Sequence, residues 1–261
     1  MQNRLHDVGL INRYLSLLEA SLIGVLVKDA PFSPWSSGGF DPIERTLGRD
    51  WPARAASMIG AARMRNLRQC CESALLDNVP GDFIETGVWR GGATILMRGV
   101  LAAYGDDGRR VFVADSFAGL PPPDAESFPA DAGDAHHTNE QLVVPRSEVE
   151  DNFRLFGLLD DRVVFLEGWF KDTLPSAPID RIAVLRLDGD MYESTIEALE
   201  SLYHKVSYGG YLIVDDYFLP PCAQAIHDYR ARHSINSPIL PIDGSGVWWR
   251  VDHAPVGAPA P

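Results

Sequence analysis

The chain has 261 residues, 46% hydrophobic and 23% charged, an ordinary globular composition that excludes a disordered or low-complexity protein. Its 36 acids against 23 bases give a formal charge of −13, a surface that repels phosphate backbones and anionic lipid, so neither nucleic acid nor membrane is an expected partner. Cys70, Cys71 and Cys222 have neither the number nor the spacing of a disulfide framework or a zinc site.

No apolar stretch reaches the ~20 residues of a membrane helix. Near the N-terminus Arg4 and Asp7 lead, Glu19 interrupts the apolar part and no small-residue cleavage site follows, so a cytoplasmic protein is expected. Residues 8–27 place Leu10, Ile11, Tyr14, Leu15, Leu18 and Leu22 at helical spacing. Residues 31–42, with three prolines and two glycines, exclude regular structure. Trp35 and Phe40 there suit a lid or partner contact, or equally a surface connector. Residues 1–50 are therefore expected to be a helical lid that also makes an oligomer contact. Residues 53–78 read as helix in two pieces broken near Gly60. Short apolar, β-branched runs follow at Phe83–Glu85, Val111–Asp115, Val163–Leu166, Ile182–Asp188 and Tyr211–Asp216, with amphipathic helices between most of them. That alternation predicts an α/β fold with a doubly wound, mostly parallel sheet over residues 51–253. Trp248-Trp249 reads as a buried final strand. The tail at 254–261 (APVGAPAP) is too rich in Pro and Ala to pack and is expected to be disordered.

In an open α/β sheet, ligands bind beyond the carboxyl ends of the strands where strand order reverses. Nearly every strand here ends in a carboxylate. The first ends Glu85-Thr86-Gly87 and enters a helix through Gly91-Gly92, which lets a ligand approach the backbone closely. The string is not G-x-G-x-x-G, so a pyrophosphate cradle is absent and the acid suits an ammonium or a sulfonium instead. Asp115 ends the second strand and can accept both ribose hydroxyls of a nucleoside. Together these positions describe an S-adenosylmethionine site. Asp188 and the pair Asp215-Asp216 end two strands expected to be neighbours. Three carboxylates form a hard oxygen site suited to Mg²⁺, where a lone acid would only cap a turn. Asp190, two residues past Asp188, projects from the same side if the strand is still extended, and is placed to take a hydroxyl proton.

With these residues in hand, the chain resembles the macrocin O-methyltransferase (TylF-type) family of sugar O-methyltransferases. The resemblance is carried by Ala56–Gly60, Glu85-Thr86-Gly87-Val88-Trp89-Arg90-Gly91-Gly92, Ala114–Phe117, Glu167-Gly168-Trp169-Phe170-Lys171-Asp172-Thr173, Leu185–Tyr192 and Val214–Tyr217, and runs from about Trp51 to Arg250. It implies a class I, Rossmann-like fold, S-adenosylmethionine as methyl donor, Mg²⁺, and a hydroxyl acceptor on a deoxysugar of a glycosylated antibiotic of the macrolide or aminocoumarin type. It implies Asp188, Asp215 and Asp216 as metal ligands, a vicinal diol completing the shell, and Asp190 as general base. Glu85, Thr86, Gly87, Asp115, Ser116, Gly168 and Trp169 would hold the donor. Met58 and the loop carrying His136 and Glu140 would face the acceptor. His136 rivals Asp190 as base, with the better intrinsic pKa; Asp190 is preferred because its strand position is fixed.

Other readings stay open. A metal-dependent hydrolase would use the same aspartates but would want basic residues around a phosphate, and no such cluster is visible in the sequence. A non-catalytic S-adenosylmethionine-binding protein would not need the metal acids. A catechol-type O-methyltransferase would share the donor–metal arrangement and differ in its acceptor mouth.

Overall fold

The computed structural model describes residues 2–32 and 38–252. Trp35 and the 254–261 tail lie outside the described residues. All five expected strands form: β1 (Asp82–Thr86), β2 (Val111–Asp115), β3 (Val163–Glu167), β4 (Ile182–Leu187) and β5 (Val206–Val214). Two short strands, β6 (Leu240–Pro241) and β7 (Val247–Arg250), complete a seven-stranded sheet of order β3-β2-β1-β4-β5-β7-β6. The first five strands run parallel, while β7 is antiparallel to both β5 and β6. Strand order reverses between β1 and β4, which opens a crevice at their carboxyl ends.

The reason for this sheet is burial on both faces. Every residue of β4 is buried, as are Phe83, Ile84, Val111, Phe112 and Val113 of β1 and β2. One face is covered by α1 (Gln2–Leu22), α3 (Gly60–Leu76), α4 (Gly92–Tyr104) and α5 (Arg146–Leu155), with α2 (Pro42–Leu47) lying against α3. The other is covered by α7 (Tyr192–Leu202) and α8 (Pro220–Arg232), with the single turn α6 (Phe170–Thr173) at its edge. The expected final strand is β7, in which Trp249 is fully buried. Among the described residues no helix is long and apolar enough to cross a membrane.

One expectation changes. The first half of the helical pattern at 53–78 is not helix: the chain is irregular until α3 begins at Gly60. The backbone groups there are committed elsewhere. Asp29 Oδ2 accepts from the N–H of Arg54 and Ala55, each at 2.8 Å, Ser57 N–H donates to the Leu22 carbonyl, and the Ala56 carbonyl accepts from Gly92. Gly60 has φ +73 and lies against the backbone of Gly48, a turn that a Cβ would block. Among the described residues, α1 contributes none to the lining of the cavity described below. Its Leu15, Leu18 and Leu22 are buried in the core, and the helix packs on α4 and α3. The segment after it is pinned by Arg45, which has no exposed surface. That guanidinium donates to Asp50 at 2.7 and 3.0 Å and to the carbonyls of Ile23 and Asp29.

Candidate active site

The strand ends are locked to one another by backbone hydrogen bonds that continue the sheet past its edge. Gly87 donates to Ala114, Gly168 to Asp115, Asp188 to Thr86 and Asp215 to Leu187, at 2.8–2.9 Å. The row of acids at 85, 115, 188 and 215–216 therefore stands along one rim. Behind it lies a cavity of about 520 Å³, walled by strand-end residues together with Trp51, Met58, Arg63 and His136.

On the donor side, Glu85 and Asp115 line the cavity with Gly87, Ser116, Gly168 and Trp169. Glu85 is buried; its Oε1 accepts from Arg186, and its Oε2 is buried without a partner. Burial outweighs the nearby Arg186 charge and pushes the Glu85 carboxyl up to about 8. Asp115 accepts backbone N–H groups from Val88 and Phe117, each at 2.7 Å, and burial raises its pKa. Those two bonds, with a longer one from Ser116 Oγ to Oδ1 at 3.5 Å, fix the loop after β1. Gly87 has φ +80, and a Cβ there would collide with the Asp188 carbonyl oxygen. Only glycine lets the turns after β1 and β4 pass this closely.

On the other side, one carboxylate oxygen from each of Asp188, Asp215 and Asp216 lies within 4.8 Å of the others. Burial raises the pKa of Asp188 and Asp216, with neighbouring aspartates adding to the effect on both. Asp190 donates its N–H to Asp216 Oδ2 at 3.1 Å, and burial with Asp188 close by pushes its carboxyl up to about 7. Asp190 does not reach the cavity by strand alternation. β4 has already ended at Leu187, and Asp190 sits at φ +59 in a left-handed turn. His136 also lines the cavity. Its Nδ1 is 2.6 Å from Asp134 Oδ2; burial opposes its charge, but Asp134 and Asp190 prevail and raise its pKa.

Not every expected residue reaches the site. Thr86 is buried in β1 but is not on the cavity wall, because adjacent strand residues face opposite ways and Glu85 takes the inward position. Glu140 is exposed at the start of a short 3₁₀ turn and does not line the cavity either. Conversely, two buried arginines stand among the acids where no basic cluster was expected. Arg186 donates to Glu85, to Asp188 Oδ2 at 2.6 Å and to Asp215 Oδ1. Arg63, from α3, donates to Asp215 Oδ2 and pairs with Asp243 at 3.2 Å. Burial works against both charges, and the carboxylates, Asp215 foremost, outweigh it and raise both pKa values. Arginines so committed are not free to bind a phosphate, so they do not supply the basic cluster a hydrolase would want. Glu85, Asp188, Asp190, Asp215 and Asp216 still outnumber the two guanidinium groups. An all-oxygen donor set in which carboxyl groups outnumber guanidinium groups fits a hard divalent cation.

Comparison with known proteins agrees with this geometry. The macrocin O-methyltransferase (TylF) family model matches residues 12–251, so the family likeness begins well before Trp51 and includes the second half of α1. The 8-demethyl-8-(2,3-dimethoxy-α-L-rhamnosyl)-tetracenomycin-C 4'-O-methyltransferase of Streptomyces olivaceus is 52% identical over 239 residues, covering 91% of this chain and 92% of that protein. The mycinamicin III 3''-O-methyltransferase of Micromonospora griseorubida is 47% identical over 245 residues, covering 92% and 96%. The solved structure of the O-methyltransferase NovP superposes with a TM-score of 0.88 at 49% identity, covering 93% of this chain and all of that one. The chain belongs to the macrocin O-methyltransferase (TylF) family and is an O-methyltransferase with the class I S-adenosylmethionine-dependent fold.

Proposed function

We propose that this enzyme methylates a hydroxyl of a deoxysugar on a glycosylated natural product, with S-adenosylmethionine as donor and Mg²⁺ held by Asp188, Asp215 and Asp216. The observation that carries the reading is one cavity holding both a donor-type rim, Glu85 and Asp115, and a three-aspartate cluster beside it. When bound, the donor supplies an electrophilic methyl group and the metal ion makes a nearby hydroxyl more acidic.

The chain's own residues then have distinct tasks. The unpartnered Oε2 of Glu85 suits the donor's ammonium, and the Asp115 carboxylate at the end of β2 suits its ribose hydroxyls. Gly168 and Trp169 flank the adenine. Asp190, anchored to Asp216 through its own N–H, takes the acceptor proton. Trp51 and Met58 line the acceptor side, with Phe218, 57% exposed, at the mouth. The tetracenomycin relative's printed substrate carries methoxy groups at sugar positions 2 and 3 and is methylated at 4'. The oxygen next to that hydroxyl is thus an ether, so we extend the vicinal-diol requirement to any neighbouring oxygen lone pair.

The test is methyl transfer from labelled S-adenosylmethionine to rhamnosyl and other deoxysugar glycosides, with Mg²⁺ and then with EDTA. Transfer to glycosides that EDTA abolishes supports the reading; transfer only to catechols would replace it. Asp190→Asn should lower kcat by about 10²–10⁴-fold with donor affinity unchanged, and His136→Gln by less than about tenfold. The reverse ranking would make His136 the base.

We also place an oligomer contact on α1, where Leu10, Tyr14 and Leu17 form an exposed apolar stripe at helical spacing. A monomeric mass by light scattering at micromolar protein would refute that.

A further inference from the structure

We infer that Arg186 is a positioning residue that couples the donor pocket to the aspartate cluster, so that filling either one tightens the other. The inference rests on the donor and metal assignments just made.

Arg186 is 1% exposed one residue before the end of β4, directly opposite Glu85 in the β1–β4 register. Its planar guanidinium carries five N–H donors in one rigid fork. Nη1 donates both to Glu85 and to Asp188, and Nη2 donates to Asp215. One side chain thereby holds the donor-site acid and two of the three cluster acids. None of the three can move without disturbing the fork, because a buried N–H left without an acceptor forfeits both its water and its protein partner. A ligand at Glu85 Oε2 therefore immobilises the same guanidinium that orients Asp188 and Asp215. A cation among the aspartates does the same from the other end. Whichever ligand binds second meets an array already fixed and loses less conformational entropy. Arg63 is the contrast: it holds Asp215 and Asp243 but does not contact Glu85, so it touches the cluster alone.

The experiment is isothermal titration of S-adenosylhomocysteine with and without saturating Mg²⁺, and of Mg²⁺ with and without S-adenosylhomocysteine. In the native enzyme each ligand should tighten the other by the same factor, about fivefold or more. Arg186→Lys keeps the charge but loses the planar fork, so both ligands should still bind while the factor falls to about one. Arg63→Lys should alter Mg²⁺ affinity and keep the factor. A second measurement needs no variant. 5'-Methylthioadenosine has the nucleoside but no ammonium to reach Glu85, so its affinity should not respond to Mg²⁺. The inference is overturned if Arg186→Lys retains the native factor, if 5'-methylthioadenosine responds as S-adenosylhomocysteine does, or if the native enzyme binds both ligands independently. Failure of the native enzyme to bind one of them at all would overturn the donor–metal reading beneath it.

Discussion

Replacing Gly87 with alanine drives a methyl group into the carbonyl oxygen of Asp188 while holding a side chain at φ +80. The two penalties are separable, because Gly105, after α4, has φ +67 with nothing within 4 Å of its would-be Cβ. Gly105→Ala therefore carries only the left-handed backbone term, about 1–2 kcal/mol. Gly87→Ala carries that term plus an overpacking term of about 1–3 kcal/mol, since a backbone oxygen cannot rotate aside, for a total of about 2–5 kcal/mol. With a urea m-value near 3 kcal/mol/M, the midpoints should fall by roughly 0.3–0.7 M for Gly105→Ala and roughly 0.7–1.7 M for Gly87→Ala. The collision also pushes the donor turn away from the aspartate turn. Gly87→Ala should consequently lose at least about tenfold in S-adenosylhomocysteine affinity, while Gly105→Ala keeps native affinity. Equal midpoint shifts, or native affinity in Gly87→Ala, would refute the claim that this close passage builds the site.

Two further outcomes follow from paired charges. Arg45→Ala leaves Asp50, with a side chain only 5% exposed, buried without its partner, and should cost about 3–5 kcal/mol in urea unfolding; a loss under about 1 kcal/mol would mean that the segment after α1 is held by other contacts. Asp160 has its pKa lowered from 3.8 to about 2, chiefly by the hydrogen bond from Arg98. A depressed folded-state value adds stability above the unfolded value, and that stability is lost as pH falls through the folded one. With the Asp160 side chain 31% exposed, solvent screening reduces the effect to about 1 kcal/mol. Asp160→Asn should be less stable than the native protein by that amount at pH 6 and equal to it below pH 2. A difference that persists there would assign the effect to packing rather than charge.

Much of the candidate site was legible because strand-end acids combine two local signals, an apolar β-branched run and a carboxylate that ends it. Glu85, Asp115, Asp188, Asp215 and Asp216 were found that way, and the sheet delivers them to one rim. Thr86 was misplaced although strand alternation forbids two adjacent residues from sharing the inward face. Arg186 carried a signal too: an arginine between leucines in a fully buried strand must have buried partners. Arg63 had no comparable mark, since α3 also carries Arg65 and Arg68 and only the tertiary fold brings Arg63 to Asp215. The same holds for Asp131. Its carboxylate accepts the N–H groups of Tyr192 and Glu193 and so caps α7 from a loop about sixty residues away in sequence, at 2.7 and 2.9 Å. The false helix at 53–59 has a related cause, since its backbone donors serve Asp29 and Leu22 rather than one another.

The most direct measurement is isothermal titration of metal-free protein with S-adenosylhomocysteine, native and Asp115→Ala, each with its fold checked by circular dichroism. One-to-one binding in the native protein that is lost in Asp115→Ala is the result expected from a donor site at the ends of β1 and β2. Folded native protein that takes up no S-adenosylhomocysteine, or an Asp115→Ala variant that binds it as well as the native chain, would contradict that assignment.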